Sequence, residues 1–144
     1  MRLWRGRPKG DGGSFPLEAA ILTPVIIAFL CLVIAFGRTT LAGNAVDAAA
    51  KEGAREASIA RDPGDAQALA EGAAARSLRQ DGLGCKSLQV VARYDRKEIG
   101  EVGSVVVTVN CTVSLSDIAF PGMPGSKTMT GKFTSVVDRY RERG

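Results

Sequence analysis

Three patterns of apolar and polar positions follow one another along the chain. From residue 19 to residue 37 nothing charged interrupts the run Ala-Ala-Ile-Leu-Thr-Pro-Val-Ile-Ile-Ala-Phe-Leu-Cys-Leu-Val-Ile-Ala-Phe-Gly, bounded by Glu18 and Arg38. As a helix this run is roughly 28 Å long, close to the thickness of a bilayer's hydrocarbon core. Pro24 removes one helical hydrogen bond and predicts a mild kink, which membrane helices tolerate. Between Arg38 and Arg61 the helical period persists but the residues shrink. Val46, Ala49, Ala50, Gly53, Ala54 and Ala57 fall on one face at i, i+3, i+4 spacing, and Asp47, Lys51, Glu52, Arg55 and Glu56 mostly avoid it. The pattern predicts one uninterrupted helix of about 45 residues, or about 65 Å. Asp62-Pro63-Gly64-Asp65 ends it.

A second helix is predicted over 66–79, capped by Asp65 and stopped near Asp81-Gly82. The period then changes to two. Leu88, Val90, Ala92 and Tyr94 alternate with Gln89, Val91, Arg93 and Asp95. Val105, Val107, Val109, Cys111, Val113 and Leu115 alternate with Val106, Thr108, Asn110, Thr112 and Ser114, the clearest strand in the chain. After the turn Pro121-Gly122-Met123-Pro124-Gly125, a third strand is predicted over 127–137, with Met129, Phe133 and Val137 facing inward. The fold class is therefore α+β: a long N-terminal transmembrane helix, a short second helix and a small three-stranded antiparallel sheet. The charged end from Arg139 to Gly144 reads as solvated.

Charge adds direction to this picture. The chain has 144 residues and a formal net charge of +4. Much of the excess lies before Gly13, where Arg2, Arg5, Arg7 and Lys9 face Asp11 alone. Elsewhere basic and acidic residues are interspersed, with no basic stripe and no interleaved aromatics, which argues against nucleic acid. Basic residues flanking an apolar segment stay on the cytoplasmic side. The expected layout is a basic cytoplasmic leader (1–13), a transmembrane helix (14–37) and an extracytoplasmic domain (38–144), single-pass in the cell membrane.

Candidate chemistry is sparse. The chain has no histidine, the commonest general base and metal ligand. Its cysteines, Cys31, Cys85 and Cys111, lack metal-binding or redox spacing. No glycine-rich phosphate loop opens a helix and no Gly-x-Ser-x-Gly occurs. No enzyme activity, cofactor or metal is expected.

The apolar run admits three readings. A secretory signal has a shorter apolar stretch followed by a small-residue cut site; Leu41-Ala42-Gly43 or Ala48-Ala49-Ala50 would serve as late ones. A plain signal anchor is the second reading, and would make the protein an anchored cell-surface binding module. Neither uses Glu18. A carboxylate costs up to about 3 kcal/mol at mid-bilayer and less near the interface, and a paired partner offsets it. The third reading is assembly.

Gly13-Ser14-Phe15-Pro16-Leu17-Glu18, followed at once by the apolar helix, resembles the processing site of type IV pilins and pseudopilins. That resemblance implies that a prepilin peptidase cuts between Gly13 and Ser14, leaving Glu18 fifth in the mature chain. Glu18-Ala19-Ala20-Ile21-Leu22-Thr23-Pro24, then Phe36-Gly37-Arg38, then Asn44 to Arg55 with its Lys51-Glu52-Gly53-Ala54-Arg55, is similar to the TadE-like family, minor pilin-like proteins of tight-adherence (Flp/Tad) pilus systems. Ala19 stands where that family often has an aromatic. The resemblance covers about residues 12–57 and implies a pilin-like architecture, with Glu18 in subunit assembly. It implies as partners the membrane, a prepilin peptidase, other pilin-like subunits and the pilus assembly platform.

Two features remain open at this level. Cys111 lies on the apolar face of the best strand and Cys85 precedes the first strand. An exported domain favours a Cys85–Cys111 disulfide, stabilising by about 3–4 kcal/mol in the chain-entropy model; two buried thiols are the alternative. Cys31 reads as a small hydrophobe within the apolar helix. The small-residue face of Val46–Ala57 either packs on the domain's own sheet or meets another helix in an assembly.

Overall fold

The computed structural model describes residues 14–95 and 102–137, with side chains from residue 16 onward. The basic leader, Gly13 and the charged end from Arg139 lie outside the described residues. Helix α1 spans Ser14–Ile59, α2 Pro63–Gln80 and α3 Leu115–Ile118; the strands are β1 Ser87–Asp95, β2 Ser104–Ser114 and β3 Ser126–Val136. The chain divides into two units, Met1–Ile34 and Ala35–Gly144.

In the first unit α1 is helical through Pro24. Its apolar side chains, including Ile21, Ile26, Phe29 and Leu32, are exposed. A helix that is apolar on every side and covered by none of the described residues suits an apolar surrounding.

The second unit has two layers. The sheet has the order β1-β2-β3 and both pairings are antiparallel, Val90 opposite Val109 and Cys111 opposite Met129. β2 is therefore central. Its alternate residues Val105, Val107, Val109, Cys111 and Val113 are fully buried, and they meet Val46, Ala49, Ala50, Ala54 and Ala57 of α1 and Ala66, Ala70, Ala74 and Leu78 of α2 in one core. Alanines on the helices oppose valines on the sheet, so the backbones approach closely and the core fills without large side chains. The opposite face of the sheet is polar: Thr112 and Thr128 share a hydrogen bond of 2.9 Å, and Thr130 donates to Asn110 at 2.7 Å.

Two glycines mark close approaches between the helices and the sheet. A Cβ on Gly131 of β3 would lie 2.6 Å from the Val46 carbonyl oxygen and 3.0 Å from the Asp47 nitrogen. A Cβ on Gly53 would lie 3.2 Å from both the Ala70 carbonyl oxygen and Val107 Cγ1. Side-chain hydrogen bonds join the layers. Tyr94 donates its hydroxyl to the Ala57 carbonyl at 2.5 Å. The Gln67 amide donates to the Val90 carbonyl at 2.7 Å and accepts from the Ala92 N–H at 2.8 Å, acting as a strand would on the outer edge of β1.

Three expectations need correction. Phe133 is exposed: on its face of β3 the cover ends at Met129 and at Gly131, where the α1 backbone sits closest. α2 begins at Pro63, before the expected Asp65 cap; Pro63 sits in the first turn, where its missing N–H costs nothing. Leu115, expected to end β2, instead opens the short helix α3.

Candidate functional site

Ser14 is the first residue of α1, and Glu18 stands about one helical turn later. Glu18 is exposed, as are Leu17, Ile21 and Leu22 around it. In this turn and the next, the side-chain hydrogen bond is local: Thr23 donates to the Ala19 carbonyl at 2.6 Å, which absorbs the hydroxyl within the helix. Glu18 is thus a carboxylate at the end of an apolar rod, and among the described residues it takes part in no ion pair. Gly13, the other half of the expected processing site, lies outside the described residues.

The segment Lys51-Glu52-Gly53-Ala54-Arg55 divides by function. Gly53 and Ala54 point into the core, and Gly53 occupies the close approach to α2 and β2. Lys51, Glu52 and Arg55 are exposed, with Glu52 and Arg55 3.8 Å apart, an exposed pair of small energetic value. The glycine is there for packing, and the charges keep the outer face wet. The small-residue face from Val46 to Ala57 is occupied by the chain's own sheet and α2.

Cys85 and Cys111 are joined by a disulfide with a Cα–Cα distance of 5.4 Å. It ties the α2–β1 connection to the central strand. Cys31 is a half-buried free thiol in the apolar stretch. Among the described residues no group of three or more His, Cys, Asp or Glu is placed to hold a metal.

One long apolar helix ahead of an α+β unit is the build of a single-pass membrane-anchored protein. Residues 13–55 match the family model of TadE-like protein, so this segment is TadE-like over the span that carries the motifs. No curated protein and no solved structure matches the chain. The sequence motifs did not reveal Gln67 or Gly131 as structural residues. A lone glycine within an alternating strand is the signal that points to a close approach.

Proposed function

We propose that this protein is a structural, non-enzymatic minor pilin or pseudopilin that takes part in assembling a tight-adherence (Flp/Tad) pilus or a related secretion filament. The observation that carries the reading is the TadE-like match over residues 13–55 on a helix whose apolar surface the described residues leave uncovered. A prepilin peptidase cuts between Gly13 and Ser14 on the cytoplasmic side. Cleavage removes the basic leader and creates an α-ammonium at Ser14. Glu18 pairs with that ammonium on its own or a neighbouring subunit, where low dielectric strengthens the attraction. The helix of residues 14–37 spans the cell membrane, and the domain of residues 38–144 is extracytoplasmic, a setting that suits the Cys85–Cys111 bridge. Partners are the other pilin-like subunits and the assembly platform.

Glu18→Ala tests this reading. In cells carrying the variant, filament assembly is expected to be lost while membrane insertion is kept. Unchanged assembly would point instead to an anchored surface-binding module.

A further inference from the structure

Two stretches of α1 are held in different ways, and a short piece between them is held by neither. Residues 19–34 belong to the apolar span. Lipid offers a backbone no partner but itself, so the helix stays closed there. From Val46 onward the domain clamps the helix: Val46, Ala49, Ala50 and Ala54 are buried in the core. Of residues 37–43, between the two, Ala42 alone is buried. Gly37, Arg38, Thr40 and Leu41 are exposed, and Thr39 and Gly43 are half-buried. Arg38, the first charge after the apolar run, puts this piece at the water side. The division between the two units falls nearby, between Ile34 and Ala35.

What remains to keep these residues helical is their own propensity, and it is poor. Gly37-Arg38-Thr39-Thr40-Leu41-Ala42-Gly43 holds two glycines and two threonines. Relative to alanine, each glycine favours the open chain by about fivefold, and each threonine by a smaller factor. Packing explains neither glycine. A Cβ on Gly37 or Gly43 would meet nothing within 4 Å, whereas one on Gly53 of the same helix would lie 3.2 Å from Val107 Cγ1. Both threonines turn back on their own helix: Thr39 donates its hydroxyl to the Ala35 carbonyl at 2.7 Å, and Thr40 to the Phe36 carbonyl at 3.0 Å. Those carbonyls also serve the backbone ladder, and such back-bonds weaken and bend a helix. A piece this short is marginal as a helix on its own in water.

We propose that residues 37–43 are a flexible joint: α1 opens there locally, and the domain turns on its anchor without leaving the bilayer. This rests on the reading of α1 as a membrane anchor. Opening breaks the hydrogen bonds of about two turns and uncovers one alanine, while the span and the core stay closed on either side.

The test is residue-resolved amide hydrogen exchange on the full chain in phospholipid nanodiscs, with rates expressed as protection factors. Protection at residues 39–43 is expected to be lower, by about tenfold or more, than at residues 26–34 and at residues 49–57. The double variant G37A/G43A adds two methyl groups into open space, so it alters propensity and not packing. It is expected to raise protection at residues 39–43 by about twentyfold. If residues 39–43 match two well-protected flanks, or if the double variant leaves their protection unchanged, the joint is wrong and the anchor stands. If residues 26–34 exchange as fast as residues 39–43, no anchor exists for a joint to serve, and both readings fall.

Discussion

Residues 19–37 and residues 42–57 belong to one helix, and they bury opposite things. The first stretch is built of large apolar side chains such as Ile26, Phe29 and Leu32, all exposed. The second is built of alanines, a glycine and a valine, with Ala49, Ala50, Ala54 and Ala57 fully covered. Size, rather than apolarity, decides where each packs. Small residues let α1 lie close to the valines of β2, whereas the large ones are covered by none of the described residues. The contrast separates the two tasks of the helix: one stretch is fastened to its own domain, and the other is left free for lipid or for neighbouring subunits.

The largest effect on the fastened side should come from the disulfide. Replacing both Cys85 and Cys111 by Ser should lower the stability of the domain by about 3–4 kcal/mol, measured by denaturant unfolding under oxidising conditions. Next is Gly131→Ala. Its new Cβ would lie 2.6 Å from the Val46 carbonyl oxygen, a backbone atom that cannot move aside cheaply. A loss of about 2–3 kcal/mol is expected in the same measurement. A neutral result would mean that α1 is not seated on β3. The smallest effect belongs to the free stretch. Phe29→Ala removes a large exposed side chain and should leave domain unfolding unchanged within about 0.5 kcal/mol. A substantial loss there would erase the distinction between the two stretches.

Much of this architecture was legible along the chain, for a physical reason. The face from Val46 to Ala57 follows the 3.6-residue period, and β2 alternates over most of its length, so both elements announced the side they bury. What stayed hidden depends on where elements cross. Phe133 has the parity of buried Met129 and Gly131, but how far cover extends along that face of β3 is a matter of the fold and not of the pattern. α3 was hidden because Leu115 continues the alternation of β2 past its end. Gln67 looked like any polar helix residue; its value lies in reaching the backbone edge of β1. For the candidate site, Glu18 stood out as the carboxylate that borders the apolar run. Its pairing depends on a second group, and the α-ammonium that fits exists only if the chain is cut before Ser14.

That cut is the hinge of the functional account, and intact-mass analysis of the protein purified from its native membrane reads it directly. A mature chain that starts at Ser14 is expected. A chain still carrying Met1 or Arg2, or one starting beyond residue 42, would contradict it.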